Sequence, residues 1–144
     1  MKNQLFITLL LLLTACVTTK NADTQTLKLI KAESQAYILG TKLDNGKTSG
    51  TTYSMYFDGK GKIEVEKVWI KGINMDFEQD ATNAEGSFRV RSTVYGGTTS
   101  NQFPEVKAPI TYDGQALVQY KENGEVKYYV VKEFKKHEKV TGYN

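Results

Sequence analysis

Residues 116–134 read ALVQYKENGEVKYYVVKEF, with Asn123 and Gly124 between two runs in which apolar residues recur at alternate positions. Asn-Gly between two such runs is a strong signal for a β-hairpin, because both residues adopt positive φ at low cost. Alternation with a period of two places one set of side chains on each face of a strand. The stretch therefore predicts two antiparallel strands, Ala116–Tyr120 and Val126–Phe134, joined at this pair.

The same alternation recurs towards the N-terminus, with turn residues between successive runs. The strand-like runs are Thr26–Ile30, Gln35–Thr41, Thr51–Phe57, Ile63–Ile70, Ile73–Glu78, Phe88–Tyr95 and Ile110–Tyr112. Turn-forming segments such as Asp58–Gly61 and Lys71-Gly72 separate them, and no segment shows an apolar stripe of helical period. About eight short strands at this spacing predict an all-β fold, a single antiparallel β-sandwich (immunoglobulin-like or similar), with a small β-barrel as the second possibility.

The alternation also predicts which side chains are buried. Those expected in the core are Met55, Phe57, Val65, Ile73, Met75, Phe88, Val90, Val118, Tyr128 and Val130. Within Ile63–Ile70 the apolar positions change face, which predicts either a β-bulge near Glu66-Lys67 or burial on both faces near Trp69. Residues 26–134 are expected to form the domain, and the polar residues 135–144 a C-terminal tail that frays.

The first sixteen residues have the three parts of a secretory signal. Lys2 gives a positive tip, Leu5–Leu13 is almost wholly apolar, and small residues precede Cys16. The apolar run is far shorter than the ~20 residues that a membrane-spanning helix needs. Leu13-Thr14-Ala15-Cys16 resembles the lipobox of bacterial lipoproteins. That resemblance implies that residues 1–15 are removed on export and that Cys16 is the lipid attachment site, acylated on its sulfur with palmitate-type chains. The alternative is an ordinary cleaved signal that ends in a cysteine.

Residues 16–25 are expected to form the lipidated N-terminus and a flexible tether, because Val17–Gln25 has almost nothing to bury. Membrane lipid is the partner that an acylated Cys16 implies, since each buried methylene contributes about 0.8 kcal/mol. An Asp directly after the lipidated Cys resembles an inner-membrane retention signal, and an acidic cluster there resembles a surface-export signal. Here Val17 follows Cys16, and residues 17–22 contain no acid. The expected location is therefore the outer membrane, lipid-anchored and periplasm-facing, or the outer face of the cytoplasmic membrane in a monoderm host.

Length and charge limit the class of protein. Removal of residues 1–15 leaves 129 of the 144 residues, the size of one domain. It also takes one base, Lys2, from a net charge of +3, which leaves +2. Near-neutrality argues against a nucleic-acid partner, which needs a concentrated basic face, and Lys135-Lys136 is interpreted as the solvated end of a strand. Cys16 is the only cysteine, so no intramolecular disulfide can form.

No cofactor or metal is expected from the titratable residues. A catalytic histidine needs a fixed partner, and a zinc site needs three or four nitrogen or sulfur ligands. The chain has one histidine, His137, in the polar tail, and one cysteine. Asp76, Glu78 and Asp80 would share a face on one strand and could offer oxygen ligands to calcium. The alternative is that these three residues, which alternate with apolar neighbours, form the solvent-exposed face of a strand.

Two further patterns are candidate sites. Glu64 and Glu66 are neighbours on one exposed strand face, whereas a glycosidase pair must face each other across a cleft. Nine tyrosines and Trp69 are many for this length; they suit strands, and they could also form a platform for sugar rings or peptides. Tyr128 and Tyr129 must point to opposite faces, so at least one is expected to be partly exposed.

A second resemblance covers most of the chain after the signal. Val68–Gly72, Ala108–Leu117 and Lys127–Phe134 together form a pattern similar to that of small uncharacterised lipoproteins of Bacteroidota. The motifs are structural, so the resemblance implies no activity, and no catalytic residue is assigned.

The sequence therefore predicts an envelope-anchored lipoprotein that acts as a non-enzymatic binding or assembly module. An envelope protein or a glycan is its possible ligand, and nucleic acid is not. The alternative is a hydrolase of cell-wall or glycan material that uses carboxylates from separate strands. Two facing carboxylates in a deep pocket, one with a raised pKa, would favour the enzyme. A shallow aromatic patch or an open sheet edge would favour the binding module.

Overall fold

Nine β-strands and no helix make up the described part of this computed structural model, which comprises residues 26–39, 49–96 and 106–142. The strands are β1 (Leu27–Leu39), β2 (Ser49–Gly59), β3 (Ile63–Ile70), β4 (Ile73–Met75), β5 (Glu78–Gln79), β6 (Ser87–Tyr95), β7 (Ala116–Glu122), β8 (Glu125–Val131) and β9 (Lys135–Gly142). Cys16 and the tether lie outside the described residues, so the lipid site stays a prediction. Within the described ranges, no helix is long and apolar enough to span a bilayer.

The strands form two sheets, which the chain visits in turn. A five-stranded sheet has the order β5-β6-β2-β1-β9, and a four-stranded sheet has the order β4-β3-β7-β8. Paired strands are antiparallel except β1 and β9, which run parallel. In the part of the chain that is described, the two sheets share one core and do not close into a barrel. The predicted β-sandwich is therefore confirmed.

The core lies between the inner faces of the two sheets and follows the alternation of the strands. Phe57 on β2 stacks on Phe88 on β6, with 5.6 Å between ring centroids. Burial of such a side chain stabilises the fold by about 1.5–3 kcal/mol. Most of the side chains predicted to be buried are buried, namely Met55, Phe57, Val65, Met75, Phe88, Val90 and Val118.

Two tight hairpins have the geometry that their sequences predict. Asn123 and Gly124, between β7 and β8, have φ values of 51° and 87°. Lys71 and Gly72, between β3 and β4, have φ values of 52° and 82°. A type I′ turn requires positive φ at both central residues, and its twist matches that of the flanking strands. Both predicted turns are confirmed.

β-bulges explain two changes of phase in the alternation. In β1 the register against β2 shifts between Leu29 and Lys31, so Ile30 is an extra residue within one 13-residue strand. The prediction of two separate strands, Thr26–Ile30 and Gln35–Thr41, is therefore wrong. In β3 the register against β7 shifts between Val65 and Lys67. This second shift is the bulge predicted at Glu66-Lys67.

Trp69 is buried on the face of the four-stranded sheet that points away from the core. It lies opposite Leu117 on β7, which lies opposite Val130 on β8. Both Trp69 and Leu117 are fully buried. Val106 accepts a hydrogen bond from the indole Nε1, and Gly114 packs against Val130. Residues on both sides of Trp69 lie in the core, so the predicted burial on both faces is also confirmed.

Three predicted assignments are wrong. Ile73 is 39% exposed, because it begins the three-residue β4 at a sheet edge. On β8 the faces are exchanged: Tyr129 packs against the core, whereas Tyr128 and Val130 are only half-buried. Apolar or aromatic residues occupy both faces of β8, so alternation alone could not choose between them. Residues 110–112 form no strand.

The polar C-terminal residues form a strand rather than a fraying tail. β9 pairs in parallel with β1, and Glu33 lies opposite Lys135. The side chains of β9 are almost all exposed, so backbone hydrogen bonds hold the strand in place. Phe134, just before β9, is buried and packs edge-on against Tyr53 with 5.0 Å between ring centroids. The prediction that residues 135–144 form a fraying tail is therefore wrong for residues 135–142, the described part of that tail.

Candidate binding site

The outer face of the five-stranded sheet carries two tyrosines with a glycine between them. Tyr37 on β1 lies opposite Gly50 on β2, and Gly50 lies opposite Tyr95 on β6. Directly opposed residues of antiparallel strands point to the same face. The next residue pair, Thr51 and Val94, points the other way, and Val94 packs against the core. The row Tyr37–Gly50–Tyr95, called the tyrosine row below, therefore faces away from the core.

Gly50 leaves space that Tyr37 fills. A Cβ at position 50 would lie 2.7 Å from the Tyr37 hydroxyl oxygen and 2.9 Å from its Cζ. It would also lie 2.6 Å from the carbonyl oxygen of Val94. The phenol of Tyr37 thus lies against β2. Glycine inside a strand is explained here by the close approach of an aromatic ring.

The surroundings of Tyr37 disfavour the ionised form of its phenol. Burial raises the pKa of Tyr37 above its ordinary value of 10.0, and the charge that Tyr95 would carry raises it further. Both effects disfavour the phenolate. Tyr37 therefore stays protonated at neutral pH, and its hydroxyl can both donate and accept a hydrogen bond.

An open cleft of about 330 Å³ adjoins the tyrosine row, at the end of the sheet where β1 ends and β2 begins. This volume lies at the small end of the range for ligand pockets. Besides the tyrosine row, the lining includes Ala36, Ile38, Ser49, Thr51, Val94 and Lys139. The lining thus combines aromatic and aliphatic surface with neutral hydroxyls and one cation.

This arrangement can hold one ring-sized, mostly neutral polar group. A phenol offers an apolar face and a hydroxyl. Lys139 supplies the one charged side chain of the described lining, whereas Ser49 and Thr51 line the cleft from the opposite face of β2. A sugar ring has the complementary chemistry, with apolar C–H faces and hydroxyls at its rim. The described lining therefore offers mostly neutral surface with one cation.

Polar contacts occupy the rest of the outer face. Lys31 lies 3.0 Å from Glu33, and its ammonium lies 4.3 Å from the centroid of the Tyr56 ring. The hydroxyls of Thr52 and Thr93 lie 3.3 Å apart. Tyr56 is thus a tyrosine of the same face that lies six positions along β2 from Gly50, remote from the cleft.

Asp76, Glu78 and Asp80 do not share a strand face. β4 belongs to the four-stranded sheet and β5 to the five-stranded sheet, so the three carboxylates span a crossing between sheets. Glu78 pairs with Arg91, and the Asp80 carboxylate lies 2.9 Å from the Arg89 guanidinium. Arg91 lowers the pKa of Glu78. The described ranges contain no group of three or more His, Cys, Asp or Glu side chains that could hold a metal ion.

Glu66 is held at the bulge by two neighbours on β7. Its carboxylate accepts a hydrogen bond of 2.8 Å from Gln119 Nε2 and lies 2.6 Å from Lys121 Nζ. The bond from Lys121 and then that from Gln119 lower the pKa of Glu66. Glu64, its neighbour in the pair considered above, is exposed. A general acid needs a raised pKa, whereas the pKa is lowered in Glu33, Glu66 and Glu78.

His137 joins β9 to β1. Its Nε2 lies 3.1 Å from the Glu33 carboxylate, which Lys31 also contacts. The hydrogen bond from Lys31, more than that from His137, lowers the pKa of Glu33. The only histidine of the chain thus lies in a strand and contacts the neighbouring strand.

Sequence reasoning did not single out the cleft. Trp69 is fully buried and Tyr129 packs against the core, so the aromatic platform considered above does not form around them. Tyr37 and Tyr95 come from distant parts of the sequence and meet only through the register of β1, β2 and β6. Gly50 was the available signal, because glycine in a strand marks a close approach.

Comparison with known proteins gives no relative: no protein-family model, no curated protein and no solved structure matches the chain. The function is therefore argued from the residues of this chain.

Proposed function

We propose that the chain is an envelope-anchored lipoprotein that acts as a non-enzymatic binding module and holds a glycan in the cleft beside the tyrosine row. The observation that carries this proposal is the position of Tyr37 over Gly50 at the mouth of an open cleft. The glycine lets the half-buried phenol of Tyr37 lie against β2, where its ring and hydroxyl border the cleft. These groups complement the apolar faces and the hydroxyls of a sugar ring.

The N-terminal sequence supports the anchor. Leu13–Cys16 resembles a lipobox, and acyl chains on Cys16 would hold the chain on a membrane. Residues 17–25 reach at most about 30 Å if extended. On the periplasm-facing leaflet of an outer membrane, a domain at this distance would lie beside the cell-wall glycan.

The surroundings of Glu66 and Glu78 argue against a hydrolytic role for these two acids. Glu66 and Glu78 each lie against a basic side chain that favours the ionised carboxylate. A glycan hydrolase needs one carboxylic acid that stays protonated near neutral pH. If the protein hydrolyses a glycan, its catalytic acids are therefore carboxyl groups other than those of Glu66 and Glu78.

Co-sedimentation with purified peptidoglycan sacculi tests the proposal. The lipidated protein, solubilised in detergent, is mixed with sacculi, and the bound fraction is compared between wild type, Tyr37→Ala and Tyr95→Ala. We expect each substitution to weaken binding at least about tenfold, because it removes aromatic surface at the cleft. Tyr56→Ala is the matched control, and it should bind like wild type. Circular dichroism checks that every variant is folded.

Three outcomes would go against the proposal. An equal loss of sacculus binding in Tyr37→Ala and Tyr56→Ala would show that the cleft is not the binding site. A wild-type protein that does not sediment with sacculi would exclude this glycan as the ligand. Release of soluble fragments from the sacculi by the wild-type protein would favour the hydrolase alternative.

Protease digestion of intact cells tests the location. A periplasm-facing protein should resist protease added outside the cell and become sensitive when the outer membrane is permeabilised. Ready digestion on intact cells would contradict the proposed orientation.

A further inference from the structure

One edge of the five-stranded sheet combines exposed lysines with exposed apolar side chains. β9 covers only the second half of β1, from Glu33 to Leu39, so the first half of β1 and the whole of β9 form this edge. Lys135, Lys136 and Lys139 on β9 are exposed, against one exposed acid on the strand, Glu138. None of these three lysines forms an ion pair with an acidic side chain of the described ranges.

Exposed apolar side chains concentrate on the same two strands. Of the large hydrophobic residues that are exposed in the described ranges, β1 and β9 carry Ile30 (55%), Ile38 (39%), Leu39 (37%) and Val140 (48%). If the edge carried lysines alone, they would be explained by the need to prevent an exposed edge strand from pairing with another chain. Such protection does not require apolar side chains beside the lysines. Apolar side chains that enter the headgroup region, next to lysines that stay at its surface, are typical of a protein that lies in the membrane interface.

We propose that this β1–β9 edge docks against the anionic phospholipid surface in which the acyl chains of Cys16 are held. The inference rests on the proposed lipid anchor, and it adds an orientation of the domain that the anchor alone does not give. Lysine is attracted to an anionic surface only within about a Debye length, ~8 Å at physiological salt. The edge must therefore lie close to the lipid for its charge to act.

The length of the tether permits this orientation. Residues 17–25 lead into β1, and Lys135 lies beside Glu33, six positions along β1 from Leu27. Six positions of a strand span about 20 Å, whereas the tether reaches at most about 30 Å. Cys16 can therefore stay in the bilayer while the β1–β9 edge lies along its surface. Lys139 is shared between this edge and the lining of the cleft.

Quenching by spin-labelled headgroup lipids tests the orientation. The lipidated protein is reconstituted into vesicles of phosphatidylethanolamine and phosphatidylglycerol with a fluorophore on Val140→Cys, the one free thiol when Cys16 is acylated. Ile73→Cys is the control, because Ile73 is similarly exposed on β4 at the opposite edge of the sandwich. We expect at least about twofold stronger quenching at position 140 than at position 73. Leu39→Cys gives a second reporter on the same edge.

Charge variants complete the test. Lys135→Glu combined with Lys136→Glu should reduce quenching at position 140 to the level at position 73, and so should vesicles of phosphatidylcholine alone. Lys60→Glu combined with Lys62→Glu is the matched control in the turn before β3, and it should leave quenching unchanged.

The outcomes separate the docking from the anchor. Two results with an acylated protein would overturn the docking alone. One is equal quenching at positions 140 and 73, and the other is quenching at position 140 that is the same in anionic and in phosphatidylcholine vesicles. A chain whose N-terminal peptide carries no acyl groups by mass spectrometry would overturn both the anchor and the docking. Binding to sacculi in detergent depends on neither, so it reports on the glycan cleft separately.

Discussion

Trp69 donates a hydrogen bond from its indole Nε1 to the carbonyl oxygen of Val106, at a distance of 2.7 Å. The indole lies in the apolar row on the outer face of the four-stranded sheet, and Val106 belongs to the irregular segment before β7. The contact ties a segment without secondary structure to the sheet. It satisfies the one polar group of a side chain that is otherwise fully buried.

We expect Trp69→Phe to lower the free energy of unfolding by about 1–3 kcal/mol, because the Val106 carbonyl loses its partner. Trp69→Ala should cost about 3–5 kcal/mol, since it also leaves a cavity. Urea unfolding followed by circular dichroism measures both, because the substitutions remove the only tryptophan. A Trp69→Phe variant as stable as wild type would show that the bond does not stabilise the fold.

Gly124→Ala should destabilise the β7–β8 hairpin through backbone strain alone. Gly124 has a φ of 87°, and a Cβ there would meet no atom within 4 Å. An L-residue at such a φ costs about 1–2 kcal/mol. Gly72→Ala is the matched case, with a φ of 82° and equally open surroundings, and thermal unfolding should give both variants similar losses. A gain in stability, as alanine gives where φ is negative, would contradict the strain.

The lowered pKa of Glu66 predicts a loss of stability in acid. Lys121 and Gln119 favour the carboxylate, so the pKa of Glu66 in the folded state lies below its ordinary value of 4.5. A lowered folded-state pKa contributes stability that is present above the unfolded-state pKa and is lost as the pH falls through the folded-state pKa. Glu66→Gln should therefore flatten the fall in unfolding free energy below pH 4.5. The change is small, because exposed ion pairs contribute little.

Urea unfolding at a series of pH values checks this prediction. Glu64→Gln, on the same strand, is the control and should keep the wild-type slope. A Glu66→Gln variant whose stability falls in acid as steeply as that of wild type would assign the acid sensitivity to other carboxyl groups.

Cys16→Ser should abolish acylation and leave the signal segment uncleaved, because the thiol is the expected site of acyl transfer. Stability of the β domain should not change, since the described core begins at Leu27. Metabolic labelling with a clickable fatty acid, together with membrane fractionation, measures the outcome. Equal label on wild type and Cys16→Ser would contradict the lipid anchor, and an alkylatable thiol in exported wild-type protein would favour the ordinary signal peptide.

The sequence by itself determined the turns and strand faces that depend only on residues close together in the chain. Asn123-Gly124 forms its predicted hairpin and Lys71-Gly72 its predicted turn, because Asn and Gly accept positive φ at low cost. Strands β2 and β6 also face as predicted, since only one of their two faces is apolar. For these elements the side-chain pattern and the turn chemistry agree, and no distant contact is needed to choose between alternatives.

Only the tertiary structure decided the elements that depend on contacts between residues far apart in the sequence. β9 has no apolar face, and it is a strand because β1 offers its backbone and Phe134 fixes its start in the core. The predicted inward face of β8 is wrong, since both faces are apolar in the sequence and only the packing of Tyr129 against Phe57 selects one of them. The tyrosine row likewise exists only through register, which brings Tyr37 and Tyr95 to either side of Gly50. Local chemistry encodes turns and faces, whereas the pairing of a strand without an apolar face, such as β9, is only weakly specified by its side chains.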